Sequence, residues 1–96
     1  MKPLTPSSIA APFGAYNHGI ATECRGIVVT SGQLGLAPDG SCAPTAAEQA
    51  AQCFENIRAI LAEANCGPEQ VIRLSAFVTD RAHFPDYMSA RDAFLE

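Results

Sequence analysis

Apolar and polar positions along the chain change period several times, and each change marks an element. Residues 18–24 (HGIATEC) and 26–32 (GIVVTSG) are short apolar, β-branched runs with Arg25-Gly26 at their join. This pattern predicts a β-hairpin. Ahead of them, residues 1–15 are rich in Pro, Ser and Ala and read as an extended or irregular lead-in. Residues 37–41 (APDGS) carry Pro and Asp-Gly, which is turn chemistry.

From residue 46 the period changes to that of a helix. Ala46, Ala50, Cys53/Phe54, Ile57, Ile60/Leu61 and Ala64 recur at three- and four-residue steps, and Glu48, Glu55, Arg58 and Glu63 fall mainly elsewhere. Thr45-Ala46-Ala47-Glu48 fits a capping box, and Cys66-Gly67-Pro68 supplies the stop. Residues 70–80 (QVIRLSAFVTD) read as a strand with Ile72, Leu74, Ala76 and Val78 on one face and a mixed set on the other. A second helix is predicted to start near His83–Pro85 and to run through Tyr87, Met88, Arg91 and Phe94. The order ββ-α-β-α is that of a single α+β or α/β domain with helices stacked on one sheet face. Three strands under two helices would leave open edges, so further closing strands are expected beyond Glu96.

Composition narrows the classes of function. Hydrophobic residues are 48% and charged residues 17%, a globular balance. A chain of 96 residues builds only a modest core, so oligomerisation is expected. The net charge is −4, Lys2 is the lone lysine, and Arg25, Arg58, Arg73, Arg81 and Arg91 are scattered. No basic stripe announces a nucleic-acid partner. Cys24, Cys42, Cys53 and Cys66 contain no CxxC pair, which argues against zinc. With no signal-peptide core and no membrane-length apolar stretch, the expectation is a cytoplasmic protein with reduced thiols and no membrane partner.

Four segments in order resemble a known family. They are APFGAYNHGI (11–20), VVTSGQLGLAPDG (28–40), EQAAQCFENIRAIL (48–61) and VIRLSAFVTDRAHF (71–84). They are similar to the RidA/YjgF family of imine deaminases, also called endoribonuclease L-PSP. The resemblance implies a chorismate-mutase-like α+β fold with a mixed sheet, a homotrimer around a central barrel, and a ligand cleft at each subunit interface. It implies hydrolysis of small 2-imino or 2-enamino acids to 2-keto acids and ammonia, with no cofactor. The partners it implies are a small imino acid or other small carboxylate and further copies of the chain. The family's carboxylate-gripping Arg and water-positioning Glu are expected after Glu96. Two positions depart from the pattern: Ala15 stands where the family has Pro, and Met88 where it often has Asn.

On this reading the resemblance places Tyr16 in the cleft as the catalytic O–H donor, and Met88 at a substrate-binding position. Ser31 and Gly32 would offer a hydroxyl and an unhindered backbone N–H to a carboxylate, although the same residues also suit a plain strand exit. Gln33 is expected to bond backbone groups. His18 and His83 have no carboxylate or nucleophile spaced to orient them, so local hydrogen bonds are the expectation for both. Cys53 is expected in the core, Asp80 at the turn before the second helix, and Arg73 and Arg91 on the surface. The rivals are a non-catalytic trimeric member that binds small carboxylates or acts as a scaffold, and, less favoured by the acidic charge, a ribonuclease.

Overall fold

Helix α1 spans Ala46–Glu63 because its sequence supplies both an apolar stripe and two good ends. At the front, Thr45 is extended and its hydroxyl accepts the Glu48 N–H at 3.2 Å. This satisfies one of the donors that a first turn leaves orphaned. At the back, the Asn65 N–H bonds the Ala62 carbonyl at 3.0 Å and the Cys66 N–H bonds the Leu61 carbonyl at 2.9 Å. That pair of bonds is a Schellman ending, and Asn65 takes the left-handed conformation it requires, with φ 56°. The stop expected at Cys66-Gly67-Pro68 therefore begins one residue earlier. Pro68–Gln70 then makes a single 3₁₀ turn.

Helix α2 spans Phe84–Leu95, with Pro85 in its first turn. A 3₁₀ turn at Arg81–His83 leads into it, and the Asp80 carboxylate accepts the Ala82 N–H at 2.9 Å, so Asp80 has the expected turn-fixing part. The two helices pack on each other. Phe54 of α1 stacks between Phe94, with ring centroids 4.8 Å apart, and Tyr87, at 6.0 Å. Phe54, Leu61 and Phe94 are the buried centre, and Ile57, Cys66, Val71, Leu74 and Tyr87 pack around it. Each buried Phe or Leu of such a cluster contributes about 1.5–3 kcal/mol, which makes this aromatic stack the main apolar cement.

The structure is a computed structural model describing residues 1–14 and 16–96. Its sheet differs from the one the hydrophobic pattern predicts. Strand β1, Lys2–Leu4, pairs antiparallel with β2, Gly19–Ala21, in the register Lys2↔Ala21, Pro3↔Ile20 and Leu4↔Gly19. The lead-in thus contributes a strand. The predicted hairpin between 18–24 and 26–32 does not form, and residues 26–32 and 71–79 run without strand pairing. The sheet is two-stranded and antiparallel rather than mixed. The physical reason is that alternation reports fit to a pleated surface and says nothing about which segment completes the ladder. Pro3, with no N–H to give, suits a strand in so narrow a ribbon. Among the described residues, no helix is long and apolar enough to cross a membrane.

Candidate functional site

The sequence-predicted site residues fall on two platforms, one on each helix. The first is the segment containing Ser31 and Gly32, carried on α1. Gln49, Cys53 and Asn56 lie at helical spacing and turn their polar atoms toward neighbouring chain. The Asn56 amide donates to the carbonyls of Leu34 at 3.3 Å and Leu36 at 3.1 Å. The Gln49 amide donates to Ala43 at 2.8 Å, and the Cys53 S–H to Gln33 at 3.4 Å. Helix side chains thus take over carbonyls that a sheet partner would otherwise bond. Cys53, expected in the core, is half-buried and serves this segment instead. Burial pushes its thiol above the usual range, with Cys42 a smaller contributor in the same direction.

Gly35 is what allows the segment to sit so close. A Cβ there would stand 2.8 Å from the Cα, Cβ and carbonyl oxygen of Gln49. Beyond it the chain turns back as the APDGS sequence predicts. The Ala37 N–H bonds the Ser41 carbonyl at 2.9 Å, and Leu36 bridges Cys42. Asp39 accepts both the Ser41 N–H at 2.9 Å and its hydroxyl at 2.6 Å. These two bonds, the hydroxyl's foremost, hold the Asp39 carboxyl below its ordinary value. Gly40 completes the turn with φ 85°.

On this platform Ser31 is exposed, and a Cβ on Gly32 would meet nothing within 4 Å. The Gln33 amide donates to the Ser31 carbonyl at 3.3 Å, the backbone-bonding role expected of it. The backbone of residues 33–36 is held by α1, while Ser31 and Gly32 just before it are open.

The second platform is formed by Phe13, Gly14 and residues 16–18, with Gly14 beside Arg91 of α2. The Tyr16 hydroxyl accepts the Phe13 N–H at 3.3 Å, and the Tyr16 N–H bonds the Gly14 carbonyl at 2.8 Å. Tyr16 is exposed. His18 bonds the Ala10 carbonyl through Nε2, a local structural contact as expected. Gly14 faces Arg91 of α2: a Cβ on Gly14 would stand 3.4 Å from Arg91 Nη2 and 3.6 Å from the Tyr16 ring. Arg91, expected on the surface, has a side chain only 14% exposed and pairs with Asp92 at 3.0 Å. Arg73 is exposed as expected. Met88 is half-buried on α2, one turn before Arg91. Ala15, where the family pattern has Pro, lies outside the described residues.

Among the described residues, no hydrogen bond joins Tyr16 or Met88 to Ser31 or Gly32. Two open concavities among the described residues stand out, and neither is lined by these residues. One, of about 480 Å³, is lined by Met1, Lys2, Ala21, Thr22 and Glu23. The other, of about 200 Å³, lies between the helices over Phe54, Arg58 and Phe94. No group of three or more His, Cys, Asp or Glu that could hold a metal occurs among the described residues. The feature sequence reasoning missed is the burial of Arg91 under the Tyr16 loop. Its signal was the spacing of Arg91 from Tyr87 and Met88, which places all three on neighbouring faces of one helix.

Comparison with known proteins gives a consistent result. The model of the family described as Endoribonuclease L-PSP matches residues 7–96. The chain is 32% identical over 88 residues to "Protein MMF1, mitochondrial" of Saccharomyces cerevisiae, covering 90% of this chain and 61% of that protein. It is 31% identical over 87 residues to a "RutC family protein" of Aquifex aeolicus, covering 90% of this chain and 68% of that one. It is 29% identical over 95 residues to the "2-iminobutanoate/2-iminopropanoate deaminase" of Salmonella typhimurium, covering 98% and 73% respectively. The chain thus spans roughly two-thirds of the length of these relatives. No solved structure gives a significant match.

Proposed function

The chain belongs to the endoribonuclease L-PSP family, the RidA/YjgF family, and from that premise we propose that it hydrolyses small 2-imino or 2-enamino acids to 2-keto acids and ammonia. The observation that carries this reading is the open, exposed edge at Ser31 and Gly32, which leads directly into a segment whose Leu34 and Leu36 carbonyls are held by Asn56 of α1. Such an edge offers a hydroxyl and a backbone N–H to a substrate carboxylate. The Tyr16 hydroxyl already accepts the Phe13 N–H, so its own proton is left to donate to the imine nitrogen. Water adds to the C=N carbon, the tetrahedral adduct collapses, the C–N bond breaks and ammonia departs. A positioned proton donor of this kind typically contributes about 10²–10⁴-fold. Met88 supplies an apolar wall for the substrate's side chain. No cofactor takes part.

The proposed working form is a homotrimer of chorismate-mutase-like subunits in the cytoplasm. In one chain the Tyr16 loop lies near α2 and the Ser31 segment runs into residues held by α1, and a subunit interface is where the two would meet. The test generates 2-iminopropanoate in situ and follows its decay with the full-length protein. Acceleration is expected, and Tyr16→Phe and Ser31→Ala are expected to reduce it. A decay rate unchanged by the protein would overturn the proposal.

A second reading, a non-catalytic binder of small carboxylates, is favoured by Met88, a thioether where the family pattern often has an amide. Its mark would be pyruvate binding without imine turnover. The ribonuclease reading has the net charge of −4 against it, and an RNA cleavage assay on purified protein checks it.

A further inference from the structure

The hairpin that follows Gln33 meets α1 through two thiols. The Cys42 S–H donates to the Ala43 carbonyl at 3.6 Å, and the Gln49 amide of α1 reaches that same carbonyl at 2.8 Å. Cys42 Sγ therefore sits where the returning arm of the hairpin touches the helix. One turn further along α1, the Cys53 S–H donates to the Gln33 carbonyl on the outgoing arm at 3.4 Å. Leu36 and Cys42 bridge the two arms, and Asn56 holds the Leu36 carbonyl at 3.1 Å. Cys53 follows Gln49 by four residues and precedes Asn56 by three, which puts it between the two amides on one helix face. The thiols are near enough for one to feel the other: Cys53 is pushed up first by burial and then by Cys42. They differ in access, because Cys42 is exposed and Cys53 half-buried. The other two cysteines lie elsewhere: Cys24 follows β2, and Cys66 packs against the aromatic core at the far end of α1.

From this arrangement we propose that Cys42 and Cys53 form a peroxide-responsive dithiol, whose disulfide fastens the 36–42 hairpin to α1 and withdraws the donor from the Gln33 carbonyl. The exposed Cys42, as its thiolate, attacks one oxygen of hydrogen peroxide. The O–O bond breaks, Cys42 becomes a sulfenic acid, and the other oxygen leaves as water with a proton from solvent. The Cys53 thiol then attacks the Cys42 sulfur, the S–S bond forms, and the sulfenic oxygen leaves as a second water. Two thiols thus give up two electrons and two protons, and the peroxide takes them. A disulfide needs its two Cα atoms within about 7 Å, and the hairpin is already seated on the helix face that carries Cys53. Gln33 in turn bonds the Ser31 carbonyl through its amide, so the change at the Gln33 carbonyl is felt beside the open edge. The inference concerns thiols and peroxide and does not rest on the deaminase reading.

The test treats the reduced full-length protein with a small excess of hydrogen peroxide, blocks free thiols with iodoacetamide, and digests after arginine and glutamate. Cleavage at Arg25, Glu48 and Glu55 leaves Cys42 in residues 26–48 and Cys53 in residues 49–55. These two peptides are expected to be joined, in a chain that still runs as a single chain on a non-reducing denaturing gel, and dithiothreitol should part them. Cys53→Ser keeps a hydroxyl for the Gln33 carbonyl but has no resolving thiol, so Cys42 should stop at a sulfenic acid that dimedone traps. In Cys42→Ser, Cys53 should stay reduced over the same time. The Leu34 amide resonance, whose peptide group includes the Gln33 carbonyl, should shift on oxidation and return with dithiothreitol. Absence of the joined peptides would overturn the proposal, as would a link between two chains or a pairing that favours Cys24 or Cys66. A Leu34 resonance indifferent to oxidation would refute the coupling to the Gln33 carbonyl and the proposal with it. None of these readouts involves imine turnover, so their failure leaves the deaminase reading where it stood.

Discussion

Gly35 has no side chain, and the helix behind it leaves room for none. Its missing Cβ would lie 2.8 Å from Gln49 backbone atoms, which cannot swing aside as a flexible side chain could. Gly35→Ala must therefore shift the 33–36 segment or α1, and is expected to cost about 1–3 kcal/mol, measured by urea denaturation. The same substitution at Gly32 meets open space and should leave stability nearly unchanged. At Asp39 the prediction concerns pH. Its carboxyl is held below the ordinary 3.8 by two bonds from Ser41, so the turn is favoured while the carboxylate is ionised. That contribution is fully present above the unfolded-state value and is lost as pH falls through the lower folded-state value. The Ser41 amide resonance should therefore titrate with a midpoint below 3.8. A midpoint above 3.8 would contradict this.

Among the elements, α1 owes its bounds to single residues at its ends. Thr45→Ala removes the hydroxyl that accepts the Glu48 N–H and should cost about 1 kcal/mol. Asn65→Gly should be tolerated, whereas Asn65→Val at φ 56° should cost about 1–2 kcal/mol; thermal melts check all three. Both helices were legible in the sequence because their causes are local: a 3.6-residue stripe, a capping Thr, a Pro in the first turn. The Asp39-Gly40 turn was legible for the same reason. The sheet was not. Residues 26–32 and 70–80 have the composition of strands, yet a strand is completed by a partner whose position no local pattern encodes. The pairing of Lys2–Leu4 with Gly19–Ala21 joins a proline-bearing lead-in to a glycine-led run, and neither stretch signals the other. At the site, the sequence singles out Tyr16 and the Ser31–Gly32 pair as residue types, and the fold of one chain joins them by no hydrogen bond among the described residues. The burial of Arg91 was not legible, because it arises from a loop arriving from far away in sequence.

The whole molecule exposes 7371 Å², whereas a compact 10.1 kDa monomer would expose about 5,300 Å². The excess of about 2,000 Å² is comparable to what two ordinary half-interfaces cover together. Large apolar residues are part of it: outside 26–32 and 71–79, Phe13 is 98% exposed, and within them Phe77 is 99%, Val29 85% and Ile27 73% exposed. The latter three lie on the two segments without strand pairing, where a neighbouring subunit would provide both cover and hydrogen bonds. The proposed trimer, in which each subunit meets two neighbours, would cover such surface, as would the closing strands expected beyond Glu96. Sedimentation equilibrium is expected to return three times the mass of one chain, and Phe77→Asp should release smaller species. A wild-type monomer at micromolar concentration would rule the trimer out.

The stacking of Tyr87 on Phe54 has an optical consequence. The sequence holds no tryptophan and only two tyrosines, and they report on different places: Tyr16 on the exposed loop and Tyr87 in the helix seam. Near-ultraviolet dichroism at the tyrosine band will therefore be weighted toward Tyr87, whose ring is held among Phe54 and Phe84. Solvent-perturbation shifts of tyrosine absorbance will be weighted toward Tyr16, which is 47% exposed. Without any added label, one unmodified chromophore gauges the integrity of the helix pair and the other the exposure of the loop.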